Sequence, residues 1–216
     1  MKNNITLNYI ENSIAIISIH RKPINALSVG LLETLKEYFL KLNSDKNIRV
    51  IILKSNLNHF SAGADLKERS IMNKKDSNRA LDAFKTCFNV IEKSNKITIC
   101  CINGYCLGGG AEMSLCFDFR IGSLDSIVGF PEVSLGIIPG AGGTQRLHRI
   151  IGLTNAKMWI YTAKKFNSEE AFRYNFFSKI VKRDDMLKEA LSISNEILKN
   201  SPIGVERAKK AIDKGF

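Results

Sequence analysis

Two short apolar runs constrain this chain more than any other feature. Val50-Ile51-Ile52-Leu53 is continuously apolar, and the stretch from Lys96 to Ile102 repeats the signal. A strand of that kind is covered on both faces, as in a parallel sheet clad by helices; a sheet with one wet face would alternate instead. Between the runs, Ala80, Ala83, Phe84, Cys87, Phe88 and Ile91 recur at helical spacing and predict a helix over 79–93. Strand, helix and strand in that order imply an α/β fold with right-handed crossovers, in which ligands sit beyond the carboxyl ends of the strands.

The flanking segments fit the same architecture. ITLNYIE and IAIISIH read as a hairpin turning at Asn12-Ser13, and Ser28 is placed to cap a helix carrying Leu31, Leu32, Leu35, Phe39 and Leu42. Helical periodicity returns near 153–163, 185–199 and 202–214. The 216 residues suit one domain over 1–216, with a core over about 5–150 and a helical part over about 151–216.

Composition removes several classes of function. No apolar run approaches the ~18 residues of a membrane span, so no membrane association is expected. Met1 to Asn4 leads straight into the first strand-like run, and no signal or transit peptide is expected. Cys87, Cys100, Cys101, Cys106 and Cys116 form no CxxC pair, which suits a reducing compartment. His20, His59 and His148 are too scattered to suggest a metal site, and no metal is expected. The formal charge of +11 fits nucleic acid, a membrane surface, an anionic small molecule such as one carrying phosphates, or background composition, and charge alone does not choose.

The chemistry-bearing segments follow the two buried runs. Ser61-Ala62-Gly63-Ala64-Asp65 offers small residues whose amides a ligand can approach, and Gly108-Gly109-Gly110 opens a helix whose first N–H groups are unshielded. Neither loop is a nucleotide-phosphate motif, since GxxxxGK[ST] is absent and the spacing of Gly104 to Gly110 does not fit GxGxxG. Glu112 lies among Ala111, Met113, Leu115, Cys116 and Phe117, on a helix that is apolar almost all round. A carboxylate there is costly unless paired or put to use, and burial raises its pKa toward the range for proton transfer. Glu132 repeats the situation after Pro131, and Gly136 to Thr144 adds a second glycine-dense loop that can wrap a pocket. Taken singly, each loop reads equally as a tight turn; two buried carboxylates beside two amide-presenting loops read as a site.

HFSAGADLKER, INGYCLGGGAEMSLCFDFRI and FPEVSLGIIPGAGGTQRL together resemble the signature of the crotonase (enoyl-CoA hydratase/isomerase) family, in order and at family-like spacing. The resemblance implies a crotonase-like ββα superhelix with a helical C-terminal region, assembled as homo-trimers or hexamers. It also implies an acyl-CoA substrate, with coenzyme A as part of that substrate and no separate cofactor. Carried over by position, the amides of Ala64 and Gly109 match the oxyanion hole, and Glu112 and Glu132 match the paired hydratase glutamates. Arg21, Lys22, Ala26, Ala62, Asp65, Leu66, Gly108, Pro131 and Gly140 fall where the family contacts substrate and coenzyme A. Arg21 and Lys22 are expected near the phosphates, and Asp65 is expected to cap or orient its loop.

Two glutamates favour hydration over isomerisation. ADLKERSIM, KLNSDKNIRVIILKS and RAKKAIDKGF most resemble the methylglutaconyl-CoA hydratases and their AU-rich-RNA-binding relatives, so the expected substrates are 3-methylglutaconyl-CoA or a short-chain enoyl-CoA. The resemblance further implies C-terminal helices beyond Phe216 that close the pocket and join subunits, and the chain is expected to be shortened there. The alternatives are an enoyl-CoA isomerase, a non-catalytic paralogue that binds acyl-CoA, or one that binds RNA through Lys36, Lys41, Lys46 and Arg49, where Glu33, Glu37 and Asp45 interleave. The expected compartment is the cytoplasm or the mitochondrial matrix.

Overall fold

The computed structural model describes residues 4–215; Met1–Asn3, part of the segment read above as leading straight into structure, and Phe216 lie outside the described residues. The chain opens with a hairpin of β1 (Ile5–Ile10) and β2 (Ile14–Ile19) and crosses through α1 (Val29–Ser44) to β3 (Val50–Ser55). A short α2 (Leu66–Ser70) and a long α3 (Lys74–Glu92) lead to β4 (Ile97–Ile102). Then come β5 (Tyr105–Leu107), α4 (Gly109–Ser114), β6 (Phe119–Ser123), β7 (Ile127–Gly129), a 3-10 turn over Pro131–Leu135, α5 (Gly143–Ile151) and α6 (Leu153–Thr162). β8 (Lys165–Asn167), α7 (Ser168–Arg173), β9 (Lys179–Val181), α8 (Met186–Leu198) and α9 (Pro202–Lys214) come last.

Six strands form the main sheet in the order β1-β2-β3-β4-β6-β9. β1 runs antiparallel to β2, and every other pair is parallel. Ala15, Ile17, Ile51, Leu53, Cys100 and Ile102 pack on one face against Leu35 and Phe39 of α1 and Phe84 and Phe88 of α3. Ile14, Ile16, Val50, Ile52, Ile99 and Cys101 pack on the other against Met186 and Ala190 of α8. Successive residues therefore enter different cores, which is why the runs show no polar alternation.

The hairpin, the capped helix and both buried runs fall where the pattern places them, and Ser28 Oγ accepts the Leu31 N–H at 3.3 Å. The helix expected over 79–93 begins earlier, at Lys74. Its added turn is polar and is fixed by Asn73, whose side chain accepts the Asp76 N–H, so apolar spacing could not reveal it. A second, three-stranded sheet, β5-β7-β8, has strands of only three residues, too short for any periodicity to register. Trp159 is fully buried and stacks on Phe166 at a centroid distance of 4.1 Å. No helix among the described residues is long and apolar enough to cross a membrane.

Candidate active site

The two loops that follow β3 and β4 run side by side. Phe60 donates to Asn103 O at 2.7 Å, Ser61 N–H to Tyr105 O at 3.0 Å, and Leu107 N–H to Ser61 O at 3.0 Å. Ser61 Oγ adds a bond to Asn25 O at 2.8 Å, tying in the Pro23 loop. On the far side, Leu27 donates to Gly63 O and accepts from Asp65 N–H. Those bonds use the groups on either side of Ala64, so the Ala64 N–H points away from Leu27. Gly63 has φ +93°, and a side chain on it would sit 2.9 Å from Leu107 O and 3.2 Å from the Gly109 nitrogen. Only glycine lets the two loops close to this distance.

The Gly109 nitrogen opens α4, and a methyl carbon built on Gly109 would lie 3.6 Å from the Ala64 nitrogen. Neither amide has a hydrogen-bond partner among the described residues. Two free N–H groups on adjoining loops form a ready site for one oxyanion, and the Gly109 amide sits at the positive end of a helix dipole.

Both carboxylates face the same cavity, which has a volume of about 510 Å³. Glu112 is 3% exposed, and its Oε1 accepts the N–H groups of Ala141 at 2.9 Å and Gly143 at 2.8 Å. Burial pushes its pKa up to about 7; the neighbouring Glu132 carboxylate adds to the rise, and the two amides and Arg146 oppose it. Glu132, 8% exposed at the start of the 3-10 turn, is also raised by burial. Its Oε2 is buried with no partner among the described residues. Gly108 makes room for this side chain, since at φ +51° a Cβ there would meet Glu132 Oε1 at 3.1 Å.

Ala62, Leu66, Gly108, Pro131 and Gly140 line the cavity as expected, together with Leu81 and Phe84 of α3, which the motifs did not single out. Arg21, Lys22, Ala26 and Asp65 do not line it. The Arg21 guanidinium donates to Ala26 O at 2.9 Å and pairs with Asp65 Oδ2 at 2.5 Å. Asp65 Oδ1 caps α2, accepting from Lys67 and Glu68 at 3.0 and 3.1 Å. Burial opposes ionisation of Asp65, but the Glu68 amide and Arg21 outweigh it and hold the pKa below the ordinary value. These residues brace the oxyanion loop, and Lys22 is exposed.

One supporting residue was missed. Arg146 donates to Glu92 through Nε at 2.8 Å and Nη2 at 2.7 Å, and through Nη1 to Ala141 O at 2.9 Å. It thereby fixes the loop whose amides hold Glu112. Its position one turn into the helix after Gly142-Gly143 was the available signal. Of the basic residues considered for RNA, Arg49 is engaged with the carbonyls of Ile197, Leu198 and Asn200 at the end of α8.

Paired amides for a developing oxyanion, set beside two uncharged-partner carboxylates in an apolar cavity, define an acyl-thioester site of the proton-transfer kind. The family model for enoyl-CoA hydratase/isomerase matches residues 9–216, and the chain belongs to that family. It is 35% identical to the short-chain-enoyl-CoA hydratase of Clostridium acetobutylicum over 216 residues, 99% of this chain and 82% of that protein. It is 37% identical to the mitochondrial methylglutaconyl-CoA hydratase of Mus musculus over 197 residues, 89% of this chain and 63% of that protein. The crystal structure of enoyl-CoA hydratase from Bacillus anthracis superposes with a TM-score of 0.96 at 40% identity, over 99% of this chain and 83% of that one.

Proposed function

We propose that this chain is an enoyl-CoA hydratase that adds water across the 2,3 double bond of a short enoyl thioester. The observation that carries the reading is the pair of raised carboxylates, neither in an ion pair among the described residues, facing one cavity beside two amides without a partner there. The thioester oxygen accepts from the Ala64 and Gly109 N–H groups, which stabilise the enolate as charge develops. Water held between Glu112 and Glu132 bonds to C3, one carboxylate takes the water proton, and the other delivers a proton to C2. The 3-hydroxyacyl thioester then leaves with both carboxylates restored to their starting sum of protons. Such a step belongs to fatty-acid or branched-chain breakdown.

Assembly as a trimer or hexamer is part of the same reading. It is supported by the exposed Leu66, Leu135, Ile137 and Ile138 around the cavity mouth, an apolar rim of the kind that contacts between subunits cover. Light scattering of the purified protein tests it. The chemistry is tested by following loss of enoyl absorbance with crotonyl-CoA. Turnover that collapses in Glu112→Gln and in Glu132→Gln is expected, and a folded protein with no turnover of any short enoyl-CoA would overturn the reading.

A further inference from the structure

The peptide that carries the Ala64 N–H is held by hydrogen bonds, because its own backbone leaves it loose. Gly63 precedes it at φ +93°, in a region that glycine explores without steric cost. A trans peptide is planar, so the Ala64 N–H is aimed by whatever holds the Gly63 carbonyl at the other end of that plane. The Leu27 N–H holds that carbonyl at 2.8 Å, and Ser61 Oγ accepts the Gly63 N–H at 3.2 Å. The Ser61 hydroxyl in turn donates to Asn25 O at 2.8 Å. Both lines of support start from the segment 25–27.

Asn25 organises that segment. It is fully buried, sits at φ +51° and does not line the cavity. Asparagine is among the few residues besides glycine that tolerate this region. Helical dihedrals of either hand turn the two carbonyls flanking a residue to the same side, whereas extended ones turn them apart. Here both carbonyls serve one loop: Ile24 O accepts the Ala62 N–H at 3.1 Å, and Asn25 O accepts the Ser61 hydroxyl. The side chain completes the anchor. Its Oδ1 accepts the Arg21 N–H at 2.7 Å, and its Nδ2 donates to Ser55 Oγ at 2.8 Å and to His59 O at 3.1 Å. One residue thus grips the segment between β3 and Ala64 at positions 55, 59 and 61.

We infer that Asn25 is a positioning residue for the oxyanion site: its side chain and left-handed backbone fix the loop that aims the Ala64 N–H. This rests on the hydratase reading of the cavity. A donor that drifts by a fraction of an ångström still lets the thioester bind, but stabilises the enolate less.

The test separates the amides from the stability of the fold. Asn25→Gly removes the side-chain bonds alone, and Asn25→Ala also disfavours the left-handed backbone. Ser61→Ala is the milder third variant, since it keeps the methylene packed against Gly110 and removes only the hydroxyl. Each folded protein is assayed for kcat and KM with crotonyl-CoA. Each is also mixed with acetoacetyl-CoA, whose enolate, formed by loss of the C2 proton to buffer, absorbs in the ultraviolet and reports how well the site holds an oxyanion. In Asn25→Ala kcat is expected to fall about 10²-fold with KM little changed, the scale of losing one oxyanion donor, and the bound enolate fraction falls with it. Asn25→Gly and Ser61→Ala show the same pattern at about tenfold, as for a donor displaced rather than lost. Variants that melt earlier but keep wild-type kcat and enolate fraction overturn the proposal, because Asn25 then supports the fold alone. A change confined to KM overturns it too, as does a wild type that binds acetoacetyl-CoA without enolate absorbance. If the Asn25 variants do not fold, Ser61→Ala decides. If the wild type forms the enolate but does not hydrate crotonyl-CoA, the hydratase reading fails on its own, and the enolate fraction still decides the role of Asn25.

Discussion

Two cavities in this molecule handle buried charge in opposite ways. The second, of about 760 Å³, lies under α9 and is lined by Phe117, Asp118, Arg146, Lys209 and Ile212 among others. Two of its three acids, Glu92 and Asp118, are ion-paired; the third, Asp213, lies exposed at the edge. Asp118 accepts from Lys209 at 2.5 and 2.6 Å and from Thr98, and Glu92 holds Arg146 in a fork. In the first cavity Glu112 has only amide donors, and Glu132 Oε2 has none among the described residues. A carboxylate paired with a cation stays ionised and fixes shape. One that is desolvated without a cation has its pKa raised and can exchange a proton near neutrality.

The largest expected effect breaks the catalytic half of this comparison. Glu112→Gln and Glu132→Gln should each lower kcat by about 10³-fold, within the range of general acid–base catalysis, with little change in KM. Single-turnover assays with crotonyl-CoA check it, and a loss below tenfold in either variant would mean that that glutamate moves no proton.

The same substitution should have the opposite sign in stability. A folded-state pKa of about 7 against 4.5 for a free glutamate means that the native state binds the proton more tightly. The contribution of Glu112 to the fold is therefore full below pH 4.5 and is lost as pH rises through 7. The full difference is on the order of 3 kcal/mol at ~1.4 kcal/mol per pH unit. Glu112→Gln keeps an oxygen for the Ala141 and Gly143 amides and carries no charge. Urea titrations should show it more stable than wild type at pH 8 by up to about that amount, with the gap gone at pH 4.5. Lys209→Met, at the paired site, should instead destabilise at neutral pH by roughly 2 kcal/mol, because Asp118 is partly exposed and the loss is less than for a fully buried pair.

The difference between the cavities also marks what the sequence discloses. Glu112 and Glu132 were legible because each is a carboxylate in an apolar run, a local contradiction that demands an explanation. The loops that present the amides of Ala64 and Gly109 were legible from their small residues, but which two N–H groups pair was legible only through the family motifs, since no side chain announces a backbone donor. The pairing of Glu92 with Arg146 was not legible, although the place of Arg146 just after the glycine loop was. They lie 54 residues apart on two ordinary amphipathic helices, and only the packing of α3 against the start of α5 brings them together. Asp65 caps its loop as expected, but the pairing with Arg21 was not legible: charges near a binding loop suggested ligand contacts, whereas the fold pairs the two with each other. The sheet was legible because both of its faces are buried; β5, β7 and β8 were not, being too short to carry a period.

Arg146 belongs to both regions and gives the finest test of the comparison. Its Nε and Nη2 atoms join the ion-paired group around Glu92, while Nη1 holds the Ala141 carbonyl, and the N–H of the same residue donates to Glu112. A lysine keeps the charge but cannot supply donors in both directions from one planar group. Arg146→Lys should therefore let the 141–143 loop drift and weaken the amide bonds that favour the Glu112 carboxylate. We expect kcat to fall about tenfold with KM little changed, roughly the ~1.4 kcal/mol of one weakened hydrogen bond. The direction of the pH effect follows from the same bonds. They oppose the rise caused by burial, so loosening them moves the limb titrated by Glu112 from about 7 to higher pH. A pH–rate profile measured on Arg146→Lys and on Glu92→Gln reads this directly. A displaced limb in both variants places the paired cluster in control of the catalytic acid, and a rate loss with the limb unmoved leaves Arg146 as packing alone.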